Sequence, residues 1–244
     1  MPPSNAEFIA QLKSDLEAKK AMHQHPWVKK FERGELTREQ IRGWIEQFYQ
    51  VVGKDIHRIM GGFYFKCPDP SLRQEIVDNL LEEEQGKVSG TAGHPELMIR
   101  LGEALGSTRQ QMIDAEPLPE TRALRCWYEL AMAPSTPFVD ALAMGVAGEA
   151  QLPGAAARAT QVLESKYGLG HEQTAFWWVH EDMDREHSDG AYQALVKVAV
   201  TDADRQRVRS VVKGYLDLWW LFFDGLDRAY GDGRKAAWGA GAGR

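Results

Sequence analysis

Residues 180–187 read HEDMDREH. On a helix, His180, Asp184 and His187 fall at i, i+4 and i+7, which stacks two imidazoles and a carboxylate on one face. Imidazole nitrogen and carboxylate oxygen suit Fe, Mn or Zn, and three such groups on one stripe supply about half the coordination of a dinuclear centre. A solvated acidic face is the plainer alternative, because Glu181, Asp182 and Glu186 make the segment polar in any case. Phe176 and Trp177, one turn upstream, weigh against it: the polar stripe continues into an apolar one, so it points inward.

The remainder of the chain is consistent with such a helix in a bundle core. At 244 residues, with 43% apolar and 26% charged residues, the chain has the composition of one large globular domain. A net charge of −6 and a pI near 5.7 argue against nucleic acid or an anionic membrane as the main partner, since both need a basic face. Two cysteines, Cys67 and Cys126, are too few for a disulfide framework, and neither sits in a CxxC or beside an activating histidine, so both read as packing residues. With no leader-like or long apolar stretch, the expected compartment is the cytoplasm.

Working outward from the motif, helical spacing recurs throughout. Residues 5–20 place Phe8, Ile9, Leu12 and Leu16 on one stripe with Asn5 as a cap, and His23 and His25 beside Pro26 are candidate caps of a neighbouring helix. Thr37 with Gln40 forms a capping box heading a helix predicted to run to about Phe65, with Trp44, Phe48, Val51, Val52 and Ile56 inward. Ser71 opens a third helix ending in Glu82, Glu83 and Glu84; the glycine-rich segment 85–93 reads as a loop; His94 resumes helix as far as Gly106; Ser107 caps a short turn. Further helices are predicted over 119–133, over 138–167 with a kink at Pro153, around the opening motif, over 190–200, and from Asp202 to Tyr230. The tail 231–244 has the composition of disorder. No βαβ alternation, hairpin turn or internal repeat occurs, so the expectation is an all-α, single-domain bundle over residues 1–230.

Glu149 is anomalous in its run of alanine, glycine, valine and methionine: a carboxylate there must be paired, protonated or bound to a metal. Joined with one of Glu82 to Glu84, and with His94, His180, Asp184 and His187, it gives three carboxylates and three neutral imidazoles. That set suits two divalent cations with positions left open for dioxygen and substrate. Tyr49, Gln50, His57, Tyr64, Trp177 and Trp178 are candidates to shape a substrate cavity, although aromatics at helical spacing more often serve packing. Nothing supports a nucleophilic triad, a phosphate loop or a dinucleotide fingerprint.

The order of NLLEEE, HPEL, an isolated glutamate followed by AQLP, and HxxxDxxH resembles the haem-oxygenase-like dimetal oxidases and oxygenases, over about residues 15 to 230. The resemblance implies seven or eight helices around a central cavity. Its ligand set would be Glu83, His94, Glu149, His180, Asp184 and His187, with Glu84 as the alternative to Glu83 because the loop before His94 varies in length. It implies two iron ions, or manganese, and dioxygen acting on an amine or amino-acid-like substrate by N-oxygenation or carbon–carbon cleavage. An external electron donor serves some members, and a homodimer is common. The stretch HPWVKKFERGELTREQIRGWIEQFYQ is also similar to pyrroloquinoline quinone synthase, a cofactorless oxidase of the same fold. However, the positions after Glu149 are mostly alanine, leaving Arg158 to hold a large anionic substrate. Relatives of the chlamydial death-domain-associating type make 4-aminobenzoate by sacrificing their own tyrosine and lysine. The matching positions here are Val28 and Ala159, with Tyr49 or Lys166 as nearby substitutes. A thiaminase-type hydrolase would need an active-site cysteine, and Cys126 has no activator. From a different class, a helical interaction protein that kept the fold without the chemistry predicts no tightly bound metal.

Overall fold

Short polar side chains start several of the helices. In this computed structural model, which describes residues 4–231 with the side chains of 181–189 outside the description, helix α1 spans Asn5–Glu17. Its cap is Ser4 rather than Asn5: the Ser4 hydroxyl accepts from the Glu7 N–H while the Glu7 carboxylate accepts from the Ser4 N–H. Thr37 and Gln40 close the predicted box on α4 (Arg38–Phe48), after the short α2 (Ala21–Gln24) and α3 (Pro26–Arg33). Beyond α5 (Ile56–Lys66), Asp69 rather than Ser71 caps α6 (Pro70–Gln85), with Pro70 at the first helical position. Following α7 (His94–Ala104), Thr108 rather than Ser107 caps α8 (Arg109–Asp114). The remaining helices are α9 (Pro119–Met132), α10 (Phe138–Glu149), α11 (Ala155–Tyr167), α12 (Ala175–Val198) and α13 (Asp202–Tyr230). There is no strand among the described residues, and the tail from Asp232 onward lies outside them.

Three long segments differ from the periodic reading. The helix from Thr37 does not run unbroken to Phe65; residues 49–53 form a π-helical turn, followed by a break at Asp55. The predicted helix over 138–167 is broken rather than kinked. Pro153 has no N–H to donate and disfavours helical geometry at Leu152, and Gly154 takes the left-handed φ of 73° before α11 begins. By contrast, α12 is one helix of 24 residues passing through Gly190, not two.

An aromatic layer fills the interior. Phe48 stacks on Trp177 with centroids 5.8 Å apart and planes at 12°, and meets Trp219 edge-on at 5.6 Å; Trp44 meets Phe223 at 5.6 Å. Such pairs add about 0.5–1.5 kcal/mol each beyond the area they bury. The amino-terminal helices are tied to α13 by Lys19 to Asp217 (2.7 Å), Lys30 to Asp227 (3.0 Å) and Arg209 to Asp15 (2.6 Å). These half-exposed pairs set register more than stability. Cys67 is a packing residue as expected, whereas Cys126 is exposed on α9. No described helix is long and apolar enough to cross a membrane.

His25 caps α3, as its place before Pro26 suggests. Its Nδ1 accepts from the Trp27 N–H at 3.1 Å, so Nε2 carries the proton and donates to Asp224 Oδ1 at 3.1 Å. Burial pushes this imidazole below its ordinary 6.5, despite the opposing pull of Asp224. A depressed folded pKa means the unfolded chain binds the proton first, so the contribution of His25 is full above pH 6.5 and shrinks as pH falls. His25→Ala should therefore cost about 1–2 kcal/mol at pH 8. Urea melts of both proteins should show that difference narrowing by pH 5; a gap that widens on acidification would contradict the tautomer.

Candidate metal centre

The centre is built where the end of α6 meets the start of α7. Gly86 ends α6 in the left-handed region (φ 60°), and the 86–93 segment folds back so closely that a Cβ on Gly86 would lie 2.4 Å from the Thr91 carbonyl oxygen. A Cβ on Gly93 would lie 2.3 Å from the Glu84 carbonyl oxygen. This absence of side chains brings His94, the first residue of α7, against the last turn of α6. There His94 Nδ1 lies 2.9 Å from Glu83 Oε2, while Nε2 faces Glu82 Oε1 at 3.4 Å. Glu84 is exposed, so of the two alternatives it is Glu83 that faces the histidine.

α12 supplies the third group. His180 Nδ1 lies 2.6 Å from the Phe176 carbonyl oxygen one turn back. A carbonyl can only accept, so Nδ1 carries the proton and Nε2 keeps its lone pair. One ligand atom each from Glu83, His94 and His180 lie within 4.8 Å of one another. The His94 and His180 ring centroids are 4.6 Å apart, and Phe176 covers His180 at 4.7 Å.

The charges are set for a cation. Burial, reinforced by the neighbouring His94, pushes His180 down to about 4, so this ring is neutral at ordinary pH. Burial would also depress His94, but Glu83 and Glu82 outweigh it and the net shift is upward. Burial raises Glu83, and His94 overrides this to leave its carboxyl below the usual range. His94 Nδ1 is buried and faces Glu83 Oε2 at 2.9 Å. A carboxylate oxygen and two imidazole nitrogens within 4.8 Å of one another fit iron or manganese.

The other expected residues divide. Asp184 and His187 belong to α12, but their side chains lie outside the described residues. Glu149 is the last residue of α10 and is exposed rather than buried among its apolar neighbours; its charge reaches Tyr215. Tyr49 is buried within the π-helical turn, against Gly53 and Met98. Gln50 is structural: its amide donates to the carbonyls of Met112 (2.8 Å) and Ile113 (3.1 Å). His57 and Tyr64 point outward, Tyr64 being 47% exposed. Trp177 is core, and Trp178 stacks on His171 while donating to its carbonyl.

Two features escaped the sequence reading. A cavity of about 220 Å³ opens between the π-helical turn, α5 and α9, with Arg58, Arg125, Asp55 and Glu129 at its polar edge and Val51 and Met132 among its apolar walls. Tyr128 also lines it, and its hydroxyl lies 2.8 Å from that of Tyr215, both rings buried. Burial pushes Tyr128 up to about 12, so the pair stays protonated. Separately, Val28 and Ala159 do come together, lining a void of about 10 Å³ with Trp44 and Arg158.

The sequence profile of a family described as iron-containing redox enzymes matches residues 42–220. The chain belongs to that family. Among curated relatives of this redox enzyme, the 4-aminobenzoate synthase of Nitrosomonas europaea is 30% identical over 91% of this chain and 92% of its own. The pyrroloquinoline-quinone synthase of Cronobacter sakazakii is 32% identical over 52% of this chain and 54% of its own. A solved domain with a haem oxygenase-like fold from Shewanella denitrificans superposes with a TM-score of 0.76 at 17% identity, covering 97% of both chains. A TenA homologue from Pseudomonas syringae gives 0.74 at 16% identity, over 93% of this chain and 97% of its own. The all-α, haem oxygenase-like fold that the resemblance implies is the fold of this chain.

Proposed function

We propose that this iron-containing redox enzyme is a dinuclear oxidase or oxygenase that uses dioxygen on a small amine or amino-acid-like substrate, by N-oxygenation or carbon–carbon cleavage. The observation that carries the reading is the convergence of Glu83, His94 and His180 within 4.8 Å. Those three would hold iron together with Glu149 from α10 and with Asp184 and His187, which follow His180 on α12. Bound iron would supply the redox chemistry toward dioxygen. The protein's own share is to keep His180 neutral by burial, to fix its tautomer through the Phe176 carbonyl so that Nε2 is free to bind, to keep Glu83 charged, and to cover one face of the His180 ring with Phe176.

The 220 Å³ cavity supports a zwitterionic substrate. Arginine pairs well with a carboxylate, and Asp55 and Glu129 suit an ammonium, beside an apolar wall. Asp55 and Arg125 pair with each other at 2.6 Å, an arrangement that a bound zwitterion could exchange for two ion pairs of its own. Tyr128 and Tyr215 run from this cavity toward Glu149. The further partners proposed are an external electron donor and a second copy of the chain.

Protein produced with iron and purified without air should carry about two metals per chain by elemental analysis. Less than roughly half a metal, even after reconstitution with Fe(II), would sink the dinuclear reading and leave the cofactorless-oxidase and interaction-protein readings. The names of the relatives favour a second reading, 4-aminobenzoate synthesis. Val28 and Ala159 offer neither ring nor nitrogen, and the substitutes are placed elsewhere: Tyr49 is inside the π-helical turn and Lys166 packs on Gly34. Release of 4-aminobenzoate from loaded protein given dioxygen and reductant but no added substrate would favour it nonetheless.

A further inference from the structure

His94 sits between two carboxylates, and they do different things. Glu83 faces the shared space with His180. Glu82 faces away from it and is fully buried, with both oxygens committed: Oε2 accepts from the backbone N–H groups of Val88 (2.6 Å) and Ser89 (3.1 Å), and Oε1 meets His94 Nε2 at 3.4 Å. Turning the imidazole over would place carbon where each nitrogen now stands, so only the present orientation gives both carboxylates a nitrogen.

We propose that Glu82 is the positioning residue of the metal centre. It accepts the Nε2 proton of His94, leaving Nδ1 as the atom presented to metal beside Glu83, and through Val88 and Ser89 it couples the order of the 86–93 segment to metal binding. The inference rests on the metal-binding reading above. Its physical basis is that a histidine ligand is oriented by what its other nitrogen holds, and that such outer carboxylates commonly alter affinity about 10- to 100-fold. Coupling is reciprocal: whatever fixes His94 also fixes the carboxylate that anchors the two amides.

The test compares wild type with Glu82→Ala and Glu82→Gln, using Zn(II) as a diamagnetic probe. Calorimetric titration gives affinity, amide hydrogen exchange follows Val88 and Ser89, and imidazole ¹⁵N shifts identify the bound nitrogen. Glutamine keeps an oxygen for the two amides but turns an N–H toward Nε2. It should preserve their protection in the metal-free protein while binding Zn(II) about 10- to 100-fold more weakly. In wild type, loading should slow exchange at both amides about tenfold, with metal on Nδ1. A glutamine variant that binds as tightly as wild type, or metal on Nε2, would overturn the positioning role and leave the centre itself standing. Wild type that takes up no Zn(II) or Fe(II) would overturn the centre and this role together.

Discussion

His180→Ala, produced with iron and purified without air, will retain less than about half the iron of the wild type. Its ring is held on both sides: the Phe176 carbonyl at 2.6 Å holds Nδ1–H, and Nε2 is left toward Glu83 and His94. Because burial keeps this imidazole unprotonated down to about pH 4, acid does not compete with metal there until far below neutrality. Removing the ring takes away the third member of the cluster that Glu83 and His94 form with it. Far-UV circular dichroism should show a folded helical protein. Full iron content in that folded variant would mean that other residues hold the metal.

Gly93→Ala should unfold at a temperature lower by roughly 5–15 °C and lose metal affinity with it. Its backbone angles, φ −58° and ψ 151°, suit any residue, so the penalty is one of space alone. The added methyl would lie 2.3 Å from the Glu84 carbonyl oxygen and 3.0 Å from that of Glu83, backbone atoms that cannot rotate away. Relief requires α7 to move off α6, carrying His94 from Glu83. Gly61→Ala is the matched control. That glycine lies within α5 with nothing within 4 Å of its would-be Cβ, so alanine should stabilise by about 0.5–1 kcal/mol. Equal melting of the two variants would show that the contact between α6 and α7 is softer than the geometry indicates.

Much of this was legible in the residues. Spacing on the opening motif placed His180 on an inward stripe, and a histidine directly after a glycine-rich loop marked the start of α7. What separates Glu82, Glu83 and Glu84 was not legible: neighbours on a helix differ by about 100° of rotation, and only the packed loop decides which one looks at His94 and which at Val88. His57 and Tyr64 turned outward for a related reason. The π-helical turn inserts a residue into a regular repeat, so a stripe counted from Trp44 no longer marks the same face after Gly53. Glu149, singled out by its apolar neighbours, is the last residue of its helix and is exposed there, a placement set by where α10 ends that the composition alone did not reveal.

The links from Lys19, His25 and Lys30 to Asp217, Asp224 and Asp227 impose an order on biosynthesis. Their acidic partners are translated about 200 residues later, so α1 to α3 emerge from the ribosome well before the helix they are tied to. During that interval the early helices stand without these partners, and a pause before α13 would lengthen it.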